Sequence, residues 1–306
     1  NNYDLIHIHD SESVLYIRDF ARFKGNIVLT SHRPEPLEDE IINALKNRYN
    51  YSFPILRRIL RRIERRSYKL ADAFIFPSEN AAKIYNDFPG FVKNSKLKPI
   101  KYLITGLNPT PSEVSRNDYF KKHNIRLDLN KPIVTYIGRH NRIKGYDRVI
   151  ESFNTIKSNN ACVLVAGAQG ALVPPVDDAW IELGYITDAL ELMYISDLVL
   201  IPNRNTYFDL VIIEALSMGK IVITSNTGGN IDIAKDCKGM ILFDNMAEGS
   251  CEQMLNTLLT MPKEKRQELE NSSLLYYNTY CKPSIFASKY NEVISKIYKD
   301  LSEHKS

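Results

Sequence analysis

The sequence is poor in the features that staple small secreted scaffolds or hold a chain in a bilayer. Four cysteines occur in 306 residues (Cys162, Cys237, Cys251 and Cys281), with no CxxC pair and no zinc-ligand spacing. That pattern excludes a disulfide framework and a cysteine-based metal site, and it fits free thiols in a reducing compartment. No apolar run approaches the roughly 20 residues that a membrane-spanning helix needs. The opening Asn1-Asn2-Tyr3 lacks the basic and apolar regions of a secretory signal. There is no internal repeat and no low-complexity segment, and no Gly-rich loop precedes the first apolar stretch.

What remains has the make-up of a globular chain, 44% hydrophobic and 25% charged, long enough for two domains. The net charge of +4 is unevenly placed: residues 1–110 hold 18 Lys and Arg against 12 Asp and Glu, and the rest is slightly acidic. Much of the excess lies in ILRRILRRIERRSYKLADA, within a helix expected over residues 52–73. There Leu56, Ile59, Leu60 and Ile63 form one face, and Arg57, Arg58, Arg61, Arg62, Arg65 and Arg66 fill the remainder. Such a helix either presents a solvated basic face or lies on an anionic membrane surface. Nucleic acid is not expected as a partner, because the arginines are not interleaved with exposed aromatics and no nucleic-acid motif follows.

The segment PNRNTYFDLVIIEALSMGKIVITSNTGG, Pro202 to Gly229, has the grammar of a nucleotide-binding corner. Leu198 to Ile201 reads as a buried strand, and Asp209 opens a helix with Leu210, Ile213 and Leu216 at helical spacing. Gly219 stands where a C-cap belongs, and β-branched Ile221 to Thr224 reads as the next strand. In open α/β sheets, ligands bind at such strand-to-helix loops. Free N–H groups at the helix start suit a diphosphate, and Glu214, little more than a turn inside, suits a ribose diol. On its own Glu214 reads equally well as a solvated helix residue.

Earlier in the chain, YDLIHIH (Tyr3 to His9), Asn26 to Thr30, and Ala71 to Ser78 with Ser78 as N-cap read as strands separated by helices. His32 follows the strand NIVLT at its carboxyl end. His7 reads as structural, and His9-Asp10 as support for His32. ITGLNPTPSE reads as a connection between domains. PIVTYIG opens a second strand–helix series, with Arg139 and Lys144 five apart in the loop beyond it. One planar and one point cation there would straddle a diphosphate. CVLVAG and WIELG are further strands, with Trp180 read as core. Met261 to Leu301 is helical in pattern apart from Pro283.

Together, VLTSHRP, the GRxxxxKGxD run from Gly138 to Asp147 and the Pro202–Gly229 segment resemble the family 4 retaining glycosyltransferases. The resemblance implies the α/β fold called GT-B, two facing Rossmann-like domains with parallel sheets and the ligand cleft between them. Its expected divisions are residues 1–112, an acceptor-side domain lacking its first strand–helix units; 113–284, the nucleotide-sugar domain; and 285–306, a terminal helix crossing back. It also implies transfer of a sugar, with retention, from a nucleoside-diphosphate sugar, foremost a UDP-sugar, to a hydroxyl acceptor. Lipid-linked acceptors are included, and the setting would be bacterial polysaccharide, glycolipid or glycoconjugate synthesis. No cofactor and no metal are expected, and the location is cytoplasmic, with peripheral membrane contact through the six arginines.

By residue, the resemblance assigns His32, Arg139 and Lys144 to the reaction centre. The donor nucleotide falls to Gly138, Arg139, Lys144, Gly184, Tyr185, Ile186, Phe208, Asp209, Leu210, Val211 and Glu214. Two positions depart from the family pattern: Thr206 stands in place of the glutamate that contacts the donor sugar, and Asp209 in place of a glycine. Both are retained as donor-sugar positions. These departures admit an alternative, a catalytically impaired nucleotide-binding subunit that partners an active transferase. An epimerase of the same fold would need its own carboxylates and histidines, which the sequence does not display.

Overall fold

The computed structural model describes residues 3–49 and 53–303. Ten strands occur among them: β1 (Leu5–Ile8), β2 (Asn26–Leu29), β3 (Ala73–Phe76), β4 (Ile100–Tyr102), β5 (Ile133–Ile137), β6 (Cys162–Ala166), β7 (Trp180–Gly184), β8 (Leu198–Ile201), β9 (Ile221–Ser225) and β10 (Met240–Phe243). They form two all-parallel sheets, β1-β2-β3-β4 and β10-β9-β8-β5-β6-β7. Apolar β-branched runs such as IVTYI and LVLI suit parallel strands covered by helices on both faces. The chain divides into two compact units, Asn1–Thr105 with Phe286–Ser306, and Gly106–Ile285.

In the first unit, β2 and β3 are buried along their whole length. The last helix, Pro283–Glu303, starts on a proline that suits the first helical turn. From Phe286 onward it supplies Phe286, Tyr290, Val293, Ile294 and the fully buried Ile297 to a core with Val28, Ala73 and Ile75.

The arginine-rich helix runs Pro54–Leu70 and departs from the expected face. Leu56, Leu60 and Ile63 pack with Leu37 and Ile42, whereas Ile59 is 47% exposed and Ile55 74%. The buried stripe continues instead through Glu64, Ser67 and Tyr68. Glu64 can be buried because it accepts from the Leu37 amide at 3.1 Å and the Tyr68 hydroxyl at 3.0 Å. Three arginines are ion-paired within the unit: Arg57 with Asp39 at 3.1 Å, Arg66 with Asp19 at 2.9 Å, and Arg61 with Glu38. Arg58, Arg62 and Arg65 are exposed and have no carboxylate partner among the described residues.

In the second unit, the six-stranded order reads 3-2-1-4-5-6 when β5 is counted first. Helix Tyr146–Ser158 leads from β5 outward to β6, and helix Leu210–Ser217 leads from β8 outward to β9. The chain therefore leaves β5 and β8, which are neighbours, in opposite directions. A crevice opens at their carboxyl ends for that reason. Helix Leu210–Ser217 buries Ile212, Ile213, Ala215 and Leu216, whereas Leu210, counted above among its apolar positions, is exposed at its mouth. Gly219 takes φ +68° just past the helix, a C-terminal conformation that favours glycine. All four cysteines are buried, and none forms a disulfide among the described residues.

Candidate functional site at the carboxyl ends of β5 and β8

Two loops line this crevice, one from Gly138 to Gly145 after β5 and one from Pro202 to Asp209 after β8. They touch at Gly145, whose φ is +71° and whose missing side chain would place a Cβ 1.9 Å from the Pro202 carbonyl oxygen. Only glycine meets both conditions. Arg204 ties the loops further: its amide donates to the Ile143 carbonyl at 2.9 Å, and its guanidinium reaches the Arg142 carbonyl at 2.9 Å and Asp147 at 2.5 Å. From beneath, the Tyr136 hydroxyl donates to the Arg139 carbonyl at 2.8 Å. The Asn141 side chain accepts from the Lys144 amide at 2.9 Å.

These contacts present Arg139 and Lys144 at one rim. Arg139 is exposed, and its guanidinium has no partner among the described residues. Lys144 is engaged: its Nζ lies 3.2 Å from Asp209 Oδ1, while Asn203 Nδ2 donates to Asp209 Oδ2 at 2.6 Å. Asp209 is the residue just before helix Leu210–Ser217, and its side chain caps none of the helix amides. No acceptor among the described residues takes the N–H groups of Phe208, Asp209, Leu210 and Val211. A free amide cluster beside two cations is chemically an anion site.

Glu214 lies on the first turns of the same helix, half-buried. No group among the described residues donates to its carboxylate. Burial alone holds its pKa above the ordinary glutamate value. Thr206 is buried, with its carbonyl covered by the turn at Gly228, whose φ is +52°. Gly184 closes β7 with φ +66° and open space where a side chain would project. Its carbonyl accepts from the Gly167 amide at 2.8 Å. Tyr185 beyond it is exposed, and Ile186 packs on the core that also holds Trp180.

Several members of the site carried no sequence signal. Asn203 and Tyr136 act within their own strand–loop segments, on Asp209 six positions on and on the Arg139 carbonyl three positions on, whereas Arg204 reaches Asp147 57 positions away. Asn141 had one, an Asx three residues before the amide that it caps. Beneath the loop, buried His140 stacks on Tyr146 at 4.1 Å, and its Nε2 lies 3.7 Å from Glu182 Oε2. Burial lowers the His140 pKa and Glu182 opposes this.

In the first unit, His9 Nδ1 and His32 Nε2 are 3.1 Å apart, with the rings within 2° of parallel. Desolvation and then His9 lower the His32 pKa below the ordinary histidine value. His7 is held between Thr30 Oγ1 at 2.8 Å and the Tyr290 hydroxyl at 2.9 Å. Its pKa falls to about 4 through burial and then through His9 and His32. No group of three or more His, Cys, Asp or Glu side chains among the described residues is arranged to hold a metal ion. No helix among them is long and apolar enough to cross a membrane.

Residues 115–273, just over half the chain, match the family model described as glycosyl transferases group 1, and residues 1–100 match that of glycosyltransferase family 4. The chain belongs to the group 1 glycosyl transferases. A curated relative is the Campylobacter jejuni N,N'-diacetylbacillosaminyl-diphospho-undecaprenol alpha-1,3-N-acetylgalactosaminyltransferase, 24% identical over 262 residues. That match takes in 81% of this chain and 66% of the relative, just under two thirds of its length. Among solved structures, sucrose-phosphate synthase from Thermosynechococcus elongatus superposes with a TM-score of 0.69 at 18% identity, covering 97% of this chain and 74% of that one. Anabaena HepE in complex with UDP gives 0.72 at 16% identity, over 96% and 79%. The fold is of the GT-B type, with two Rossmann-like units.

Proposed function

We propose that this chain is a retaining glycosyltransferase that moves a sugar from a nucleoside-diphosphate sugar, foremost a UDP-sugar, to a hydroxyl acceptor. The observation that carries the reading is the crevice at β5 and β8, where exposed Arg139, Asp209-paired Lys144 and amides without an acceptor among the described residues share the loops and helix start with Glu214, whose carboxylate no described residue donates to. Glu214 accepts from the ribose hydroxyls. Arg139, Lys144 and the amides of Phe208, Asp209, Leu210 and Val211 hold the diphosphate, with Gly138 keeping the loop backbone close. Charge neutralisation by these groups lets the diphosphate leave without a metal ion. Backbone groups of Gly184, Tyr185 and Ile186 read the base edge, and the open space over Gly184 supports that assignment. Thr206 and Asp209 are the donor-sugar positions, and His32 contacts the donor sugar. The departing phosphate takes the acceptor proton.

The undecaprenol-linked substrate in the Campylobacter relative's name supports a lipid-linked acceptor, in bacterial glycoconjugate synthesis at the inner face of the membrane. Arg58, Arg62 and Arg65, without a carboxylate partner among the described residues, beside exposed Ile55 and Ile59 support peripheral contact there, whereas Arg57, Arg61 and Arg66 are ion-paired within the unit. A second reading, an impaired nucleotide-binding subunit, is favoured by one observation: Thr206, where the family carries a glutamate, is buried.

The test is calorimetric titration with UDP, GDP and ADP, first without metal and then with Mg²⁺. Metal-independent binding of one of them is expected. Glu214→Ala should weaken it about 10- to 100-fold, because a hydrogen bond to a charged group is worth ~1.5–3 kcal/mol. Unchanged affinity would remove the ribose role. Sugar transfer to an acceptor, assayed with the matching sugar nucleotide, separates the enzyme from the impaired subunit.

A further inference from the structure

We propose that Asp209 is an internal anion that occupies the diphosphate site and must be displaced by the donor. This rests on the reading of Arg139 and Lys144 as diphosphate ligands. The Asp209 carboxylate is only 10% exposed, and both of its oxygens are committed: Oδ1 faces Lys144 Nζ at 3.2 Å, and Oδ2 accepts from Asn203 Nδ2 at 2.6 Å. It stands directly ahead of the Leu210–Ser217 helix, whose first amides have no acceptor among the described residues. A carboxylate there mimics the charge of a phosphate and faces the same helix start. It serves no capping role that would account for its presence, since it accepts from none of the helix amides. Its backbone, at φ −89° and ψ 113°, is ordinary for any residue, so the acidic side chain is not dictated by the turn.

Two consequences follow for the charge of the site. One of the two cations is neutralised in the unliganded chain, which leaves Arg139 as the free one. An incoming diphosphate also meets a like charge beside Lys144, and repulsion in a partly buried site is felt strongly. The donor therefore binds by exchange: Lys144 passes from the Asp209 carboxylate to a phosphate oxygen, and Asp209 is released toward the sugar side of the crevice. A freed carboxylate there is a strong acceptor for sugar hydroxyls. The same residue thus lowers the affinity for a bare nucleoside diphosphate and favours a ligand that carries the sugar.

Calorimetric titration with UDP, GDP and ADP on wild type, Asp209→Asn, Lys144→Ala, the double variant and Arg139→Ala tests this. Asparagine keeps the size of the side chain and removes the charge. Asp209→Asn should tighten nucleoside diphosphate binding by about tenfold, a gain that a folding defect cannot imitate. Lys144→Ala should cost about threefold or less in the wild type but about tenfold or more once Asp209 is neutral, so the two changes should be coupled. If Arg139→Ala weakens binding while Asp209→Asn leaves it unchanged or weakens it, internal occupation is overturned and the diphosphate site stands. If Arg139→Ala is silent as well, or no nucleotide binds to wild type or Asp209→Asn, the diphosphate reading falls and this inference falls with it.

Discussion

A half-buried carboxylate without a donor is a standing cost to the unliganded chain, and Glu214 has none among the described residues. Its folded pKa lies above the unfolded value of 4.5, so its contribution to stability is fullest below that pH and is lost as pH rises through the folded value. Glu214→Gln should therefore raise the melting temperature at pH 7.5, with the gain shrinking toward pH 4.5, while weakening nucleoside diphosphate binding. Equal melting temperatures at both pH values would contradict the desolvation argument. His7 has the opposite sense. Its folded pKa of about 4 lies below the unfolded 6.5, so the stability that it contributes is present above 6.5 and lost as pH falls toward 4. A loss of roughly 1–3 kcal/mol is expected over that window, after discounting for its partial exposure. Hydrogen exchange of the β1 and β2 amides at pH 7 and pH 5 should show it, and His7→Gln should flatten the difference. Glu214 was legible as a motif position, but the lack of donors around it was not, because donors come from distant chain.

The strand–helix joints dominate at the scale of elements. Gly145→Ala forces a left-handed conformation on alanine and drives a Cβ into the Pro202 carbonyl. A destabilisation of about 1–3 kcal/mol from the backbone alone is expected, with a further loss of nucleotide affinity as the two loops part. Thermal unfolding and titration of the variant check both. The Pro54–Leu70 helix shows how far periodicity carries. It announces an amphipathic helix correctly but assigns Ile59 to the buried face, because Glu64 and Tyr68 are not apolar markers. Glu64 is buried only because the Leu37 amide and the Tyr68 hydroxyl reach it, and burial raises its pKa. Ile59→Asp should accordingly leave the unfolding free energy within about 0.5 kcal/mol of wild type, as for ordinary surface changes. Leu60→Asp, one residue on and 7% exposed, should unfold the first unit. Sedimentation of Ile59→Asp with anionic vesicles gives a separate reading of peripheral contact, which should fall if this face meets lipid.

For the molecule as a whole, the last helix completes a core begun some 250 residues earlier. Val28, Ala73 and Ile75 meet Phe286, Tyr290, Val293, Ile294 and Ile297. Ile297 is fully buried and the other four helix residues partly so; at ~1.5–3 kcal/mol for a fully buried large apolar side chain, the helix contributes several kcal/mol before entropy is subtracted. Ending the chain after Ile285 should therefore unprotect β1 to β4 in hydrogen exchange and leave β5 to β10 protected, since the latter have their own core. Loss of protection in both sheets would show that the two units do not fold separately. The basic excess of residues 1–110 is likewise a property of the assembled unit: Arg57, Arg61 and Arg66 spend their charge on Asp39, Glu38 and Asp19, so the basic surface is narrower than the composition suggests.

The sequence by itself determined the alternation of strands and helices and the parallel α/β class, because these are encoded locally, in periodicity and turn chemistry. Gly138, Arg139, Lys144 and Glu214 are singled out as candidates by the resemblance of their motifs to a known family. Only the tertiary structure decided that Lys144 is paired with Asp209 while Arg139 is left free, that Thr206 is buried and that Ile59 faces outward. Each of those facts depends on which residue of another loop or element comes within a few ångströms, and sheet order, not sequence distance, sets that.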